Sequence, residues 1–583
     1  MIRVAQELLT RVVSQGYNFK NQVRSIVASL AVALVTAVPA YSGPQGGENL
    51  GKAALASIDG RVLDLAGSPL RKVAVTADPQ QTGASQANRS SFCSTDADGH
   101  FTLVSLEPGS YHLTFDRPGF IRHVFGSETA GENGALINLT AGQHLAGVEV
   151  RLTPEATISG RVVDQDRDPI PGVSVRLFSY RFDMGVRQPR TFAQAEVDRT
   201  GAFKLTGIGP GQYYIIATPQ RGLAESSTLP SGERVEYAYL PTYYPGSPEA
   251  AGAQAISIGP GDGSAIGDLT LRKARTVHVR GRVNSDAFPG DAGRLAVRAF
   301  PDDPLSAVTL FEAPSSAASP KDGTFDLASV PAGRYDLMVT ARTGQIQALA
   351  RQSIVVGETD VENIVISLLP GAEIAGSVVY AGSPSGLSSP APGPTVVLWS
   401  AGPGSINKFA QRVRDGSFRF RDAPPGRYMV RVTERPDDVY LQSIRSRDGG
   451  DLLATELDLT QGGGHREITV TLNLSPARVD GSVLDGDGHP LPRKVVTLAP
   501  SPPDNTQAHR YRRTVSDEAG RFVLGGLPPG DYCLYAWHEL PETAQFDGEL
   551  LVREARRCTK IQLQEGGKES VQLTLHASGG REQ

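Results

Sequence analysis

Five stretches of this chain repeat one pattern, and the repetition restricts the fold more than any other feature of the 583 residues. They read DADGHFTLVSLEPGSYHLTF (96–115), DRTGAFKLTGIGPGQYYIIA (198–217), PKDGTFDLASVPAGRYDLMV (320–339), VRDGSFRFRDAPPGRYMVRV (413–432) and DEAGRFVLGGLPPGDYCLYA (517–536). In each copy a first glycine (Gly99, Gly201, Gly323, Gly416, Gly520) stands ten residues before a second (Gly109, Gly211, Gly333, Gly426, Gly530). An aromatic follows every one of these glycines by two positions. A G-[RS]-V signature lies some forty residues upstream, at Gly60, Gly160, Gly281, Gly376 and Gly481. Self-similarity at a near-constant period means an array of like units.

The pattern describes a hairpin followed by a further strand. Asp-Gly at a strand junction supplies the positive φ angles of a tight turn. It occurs at Asp98-Gly99, Asp322-Gly323 and Asp415-Gly416, with Thr200-Gly201 and Ala519-Gly520 as weaker versions. After the turn, Phe101 and Leu103, Phe203 and Leu205, and Phe325 and Leu327 alternate with other residues. That period of two sets each pair on one face of a strand. Tyr111, Leu113 and Phe115 resume the alternation beyond the Pro-Gly turn, and VEVRL (148–152), DLTLR (268–272), IVISL (364–368), ITVTL (468–472) and VQLTL (571–575) close the units. Gly 64 and Pro 41 suit a chain of many tight turns and stay below the roughly 25–30% of disordered sequences. Strands at turn spacings of roughly 8–12 residues, with no helical period between them, predict antiparallel sandwiches. The G-[RS]-V starts fall 100, 121, 95 and 105 residues apart, one sandwich per repeat. Only TPEAT separates Leu152 from Ile158, and so short a junction predicts a semi-rigid row.

G-x-V, then D-G-x-F and P-G-x-Y ten residues apart, resembles the carboxypeptidase regulatory-like domain, a transthyretin-like sandwich grouped with carbohydrate-binding-like folds. The resemblance spans 54–577 and implies seven- or eight-stranded Greek-key sandwiches without catalytic residues of their own. The expected fold is therefore all-β: a tandem array of five antiparallel Greek-key β-sandwich (transthyretin/Ig-like) domains after an N-terminal signal segment. The expected boundaries are a signal peptide at 1–40, a linker at 41–53, sandwiches at 54–153, 154–273, 274–370, 371–475 and 476–577, and a tail at 578–583. Two repeats depart from the pattern. Pro331-Ala332-Gly333 shifts the proline in the third, and a loose Gly/Pro/Ser stretch occupies 381–394 in the fourth.

The N-terminus carries Arg3, Arg11, Lys20 and Arg24, followed by the uncharged apolar run SIVASLAVALVTAVPA at 25–40. Its 16 residues fall short of the ~20 that cross a bilayer as a helix. It ends Val38-Pro39-Ala40, with the small side chains a signal peptidase reads, so cleavage after Ala40 is expected; an uncleaved anchor is the alternative. The expected location is exported: periplasm, cell surface or secreted, with membrane attachment only through an uncleaved N-terminal segment. A net charge of -5 lacks the concentrated basic surface that nucleic acid requires. Three cysteines exclude a disulfide-stapled array and are too few for a thiolate zinc site.

No catalytic constellation is legible. None of the ten histidines has Glu three residues on, no H-E-x-x-H or G-x-S-x-G occurs, and solvent-exposed histidines are expected. Gly46-x-x-x-x-Gly51-Lys52 ends in Ala53 where a phosphate loop needs Ser or Thr, and it reads as tail. Asp96-x-Asp98, Asp164-x-Asp166-x-Asp168 and Asp485-x-Asp487 read as turn chemistry, with weak calcium binding as the alternative. The Pro-Gly-x-Tyr tyrosines read as structural, their hydroxyls tied to nearby backbone. RVEYAYLPTYYPGS (234–247) sets Tyr237, Tyr239, Tyr243 and Tyr244 in a loop-like setting, a candidate sugar-stacking platform; the competing reading is packing at a sandwich edge or domain junction. Trp399 and Trp537 fall in strand patterns and read as packing. Cys533 and Cys558 share the last repeat and pair in an oxidising compartment if their strands are neighbours, leaving Cys93 single. No Lys lies in an opening strand, so no isopeptide cross-link is expected. No metal and no cofactor is expected. The reading is a non-enzymatic exported scaffold or adhesion protein whose partner is a polysaccharide or another cell-envelope protein; a carbohydrate-binding protein is the alternative.

Overall fold

The computed structural model describes residues 54–575 apart from 81–89, 127–133, 135, 184, 221–223, 285–294, 304–312, 344, 383–392, 401–407, 539 and 541–542. The expected signal segment, the 41–53 linker, the 578–583 tail and most of the 381–394 stretch lie outside the described residues. From Ala54 onward the chain is nearly all β and forms one compact unit.

The described strands form ten sheets, two to each repeat of the sequence pattern. In the first repeat Ala56–Asp64, which carries G-[RS]-V, lies between His100–Leu106 and His144–Leu152. The facing sheet is built on the Pro-Gly-x-Tyr strand Gly109–Asp116, flanked by Ala74–Pro79, His123–Val124 and Leu136–Leu139. Alternation along each strand sends one face inward: Ile58, Val62, Phe101 and Leu103 meet Val75, Leu113 and Phe115 in a common core. Equivalent cores form around Ile158 and Ile215, Val279 and Leu337, Ile374 and Val430, and Val479 and Leu534.

Register explains why the three parts of the pattern travel together. Gly60 pairs across the ladder with Phe101, Gly160 with Phe203, Gly281 with Phe325, Gly376 with Phe418 and Gly481 with Phe522. The glycine leaves room for the ring: a Cβ at Gly376 would lie 2.0 Å from Phe418 Cζ. The turn glycine then closes the hairpin onto the same strand. Its carbonyl accepts from Val62 (2.8 Å), Val162 (2.8 Å), Val283 (2.9 Å), Val378 (2.8 Å) or Val483 (2.8 Å), the valine of G-[RS]-V. At Gly99, φ is +77° and a Cβ would press within 2.5 Å of the Val62 carbonyl, so both conformation and space call for glycine.

Most ladders are antiparallel as expected, and one pairing in each repeat departs from this. In every repeat the opening strand runs parallel to the closing one: Ala56–Asp64 with His144–Leu152, Ala156–Val163 with Gly263–Thr270, Lys273–Asn284 with Val361–Ser367, Ala372–Ala381 with His465–Asn473, and Ala477–Leu484 with Lys568–Thr574. Parallel entry and exit strands deliver the chain to the end of the sandwich opposite its entry, and the next repeat starts there. The simple row is corrected as well. The second and fifth repeats touch, with the Phe182 amide donating to Thr543 Oγ1 at 3.2 Å across 361 residues. The fifth repeat also carries short helices that no period announced, among them Asn505–Arg510 and Gly548–Arg553. They cover a second small core of Tyr511, Tyr535, Trp537, Leu540 and Leu551.

Candidate functional site

The tyrosine-rich segment is not a loop. Ala224–Thr228 and Arg234–Tyr239 form a hairpin, and Arg234–Tyr239 pairs with Lys273–Asn284, the opening strand of the third repeat. The second repeat thus extends its neighbour's sheet through main-chain bonds, and the paired side chains follow. Lys273 Nζ lies 2.8 Å from Glu225 Oε2 and 4.9 Å from the centre of the Tyr239 ring. The Glu225 bond first, and then Tyr239, raise the Lys273 ammonium above its usual range.

The four rings separate by role. Tyr237 is half-buried on the hairpin, while Tyr239 and Tyr244 pack against the second repeat's core. Tyr243 is buried in Thr242–Tyr243, which pairs with Gly211–Pro219, and it packs with Phe178 and Ile216. Its hydroxyl donates to Asp303 Oδ2 of the third repeat at 3.0 Å. Burial, then the Asp303 carboxylate, pushes the Tyr243 phenol well above its ordinary range. Buried Tyr243 cannot offer its face to a ligand: it stands at a joint with the third repeat, the competing reading of the segment, while Tyr237, Tyr239 and Tyr244 remain partly exposed. Phe178, Tyr180 and Tyr214 extend the joint, with Phe178 and Tyr214 stacked at 5.5 Å and the Arg187 guanidinium 3.8 Å above Tyr180. These residues went unnoticed in the sequence. The available signal was Tyr213-Tyr214: with Tyr213 facing the core, Tyr214 must face out.

The acidic turns hold backbone. Asp164 Oδ1 accepts from the amides of Asp166 and Asp168, each at 2.9 Å. Asp96 serves Asp98 and His100 in the same way, and Asp485 serves Asp487 and His489. Asp485, Asp487 and His489 bring possible ligand atoms within 4.8 Å of one another, but Asp485 is already engaged by its turn, whose His489 amide holds the carboxyl below the usual range. The pattern tyrosines reach back four residues: Tyr111 to the Glu107 carbonyl (2.9 Å), Tyr213 to Gly209 (3.0 Å), Tyr428 to Pro424 (2.8 Å) and Tyr532 to Pro528 (2.8 Å). Among the described residues Tyr335 makes no such bond; there Ala332 replaces the proline that precedes the glycine elsewhere.

Exposed histidines hold only in part. His100, His144, His465 and His489 are exposed, whereas His123 and His509 are partly covered and burial depresses both rings, His509 to about 3. Cys533 and Cys558 form a disulfide with Cα atoms 5.3 Å apart, and Cys93 is a free thiol that burial pushes up. Trp399 and Trp537 are buried, and Trp537 Nε1 donates to Thr497 Oγ1 at 2.8 Å. Among the described residues no helix is long and apolar enough to cross a membrane.

The profile of the carboxypeptidase regulatory-like domain matches residues 57–153 and 478–576, the first and last repeats. The middle three lie outside those matches; they include the added hairpin of the second repeat and the displaced proline of the third. No curated protein matches the chain. Among solved structures, the TIE protein of Bacillus anthracis is 11% identical, with 72% of this chain and 73% of that one covered and a TM-score of 0.16. A streptococcal ancillary pilin is 12% identical over 54% of this chain and 99% of its own, TM-score 0.19. The minor pilin GBS52 of Streptococcus agalactiae is 12% identical over 38% and 97%, TM-score 0.20.

Proposed function

We propose that this chain, with carboxypeptidase regulatory-like domains at both ends of its described part, is an exported, non-catalytic scaffold of five sandwich domains bounded as the repeat pattern sets them. The observation that carries the reading is how its patterned polar groups are used. Turn aspartates close turns, Pro-Gly-x-Tyr hydroxyls tie down backbone carbonyls, and the tyrosine-rich segment joins two repeats. A chain most of whose recurring polar side chains serve its own geometry acts by presenting surface, and a polysaccharide or another cell-envelope protein is the partner such a surface would meet.

The test is localisation together with binding. A tagged full chain is expected in the envelope or extracellular fraction of expressing cells, and a version lacking 1–40 in the cytoplasm. Cytoplasmic retention of the full chain would refute export. Peptide and polysaccharide substrates, with and without zinc, should show no turnover, and any sustained hydrolysis ends the non-catalytic reading. Glycan-array binding that is lost in Tyr237→Ala would favour the carbohydrate-binding alternative.

A further inference from the structure

Where the fourth and fifth repeats meet, three arginines converge on a cavity of about 300 Å³. Arg431 belongs to the strand Arg427–Thr433, Arg435 follows it, and Arg512 opens the strand Arg512–Val515. Arg435 Nη2 donates to the His509 carbonyl at 3.1 Å. Arg512 Nη1 donates to the carbonyls of His509 and Tyr511, both at 2.8 Å, and its Nη2 to that of Gly526 at 2.7 Å. Carbonyls orient a guanidinium but do not neutralise it. Two further donors, Arg431 Nε and Arg435 Nη1, are buried and have no acceptor.

Counter-charge is short. Glu434 is engaged by Arg412 at 2.6 Å and by Thr395 Oγ1 at 2.7 Å, which leaves Asp437 as the lining carboxylate not so engaged. Burial and then neighbouring Arg512 press Arg435 down to about 9, and since a guanidinium stays protonated at neutral pH, the direction marks charge that the opposing Asp437 carboxylate only partly balances. Leu441, Leu453 and Phe546 close the apolar side. A buried cation short of counter-charge is costly.

We propose that this joint binds a small oxyanion, a phosphate, sulfate or carboxylate, free or as the acidic group of a ligand no larger than a monosaccharide. The guanidinium charge of Arg431, Arg435 and Arg512, which line the cavity, holds it there. The cavity sits at the lower end of the roughly 300–1,000 Å³ of small-molecule sites, which sets the size limit. The inference goes beyond the scaffold reading and does not depend on it.

Thermal melts and calorimetry on the full chain test it, at ionic strength held constant with sodium chloride. The probes are inorganic phosphate, sulfate, glucuronate and glucose. At least one oxyanion is expected to raise the unfolding midpoint, with glucose inert. A response to phosphate or sulfate without glucuronate that is lost in Arg435→Gln identifies a free inorganic anion, and one to glucuronate lost in the same variant an acidic sugar; a shift the variant retains is general salt stabilisation and counts against the site. Arg435→Gln should weaken binding roughly tenfold to a hundredfold, as loss of a charged hydrogen bond does. Arg431→Gln provides the same test should Arg435→Gln fail to fold. Midpoints equal to the chloride control for every oxyanion would overturn the proposal, and so would undiminished affinity in the variants.

Discussion

Gly376 faces Phe418 across the ladder, and the ring occupies the space a methyl group would need. Gly376→Ala should therefore cost about 1–3 kcal/mol, the range for overpacking a core, read as a lower urea midpoint. Gly548→Ala is the control: nothing lies within 4 Å, the site is helical, and a gain of about 0.4–1 kcal/mol is expected. The pattern tyrosines allow a second comparison. Tyr428→Phe removes the bond to the Pro424 carbonyl and should cost about 0.5–1.5 kcal/mol in the same titration. Tyr335→Phe, with no such bond to lose, should change the midpoint little. Equal effects at both positions would show that the hydroxyl contributes nothing. Residues of this kind were legible because they recur in register. Asp303 and Arg435 were not, because each occurs once and takes its meaning from a neighbouring repeat that spacing cannot place.

At the scale of strands, alternation revealed which face is buried but not the direction of the partner. A period of two is the same in parallel and antiparallel ladders, so the parallel entry and exit strands could not be read from the sequence. The hairpin Ala224–Thr228 and Arg234–Tyr239 was hidden for a related reason: its main-chain bonds go to the next repeat. GELLVR at 548–553 is too short to show a helical period. The disulfide belongs to this scale, since Cys533 lies in Gly530–Trp537 and Cys558 immediately precedes Thr559–Leu563, the strand paired with it. It closes a loop of 25 residues in sequence separation. Reduction, or Cys533→Ser with Cys558→Ser, should destabilise the fifth repeat by about 3 kcal/mol on loop-closure grounds. A differential scan should show one transition moving down while the others stay, and an unmoved scan would mean that the strands hold this geometry unaided.

For the molecule as a whole, what matters is how the repeats touch. The fourth–fifth joint predicts an acid sensitivity. Folded His509 is held near 3 by burial and by Arg435, Arg510, Arg512 and Arg431, and Asp437 and Glu434 also line the cavity it faces. An unfolded histidine titrates near ~6.5, so above that pH neither state binds the proton and the group adds no slope. Below it the unfolded chain takes up a proton that the folded chain refuses, and stability falls toward pH 3, by at most about 1.4 kcal/mol per unit and less where solvent reaches the ring. His509→Gln should flatten the urea midpoint between pH 6.5 and 5 in phosphate-free buffer; parallel slopes would refute this. The second–fifth contact makes the remaining prediction. Gly185 is buried with φ +87°, and a Cβ there would lie 2.6 Å from the Asn505 carbonyl and 3.1 Å from Ala508 Cβ. A side chain at this turn must push the fifth repeat away, whereas the cores around Ile215 and Leu534 lie elsewhere and stay intact. Gly185→Arg should therefore increase the radius of gyration in small-angle scattering while the circular dichroism of the strands is unchanged. If the radius is unaltered, the contact does not restrain the array, and the short junctions alone hold the repeats in place.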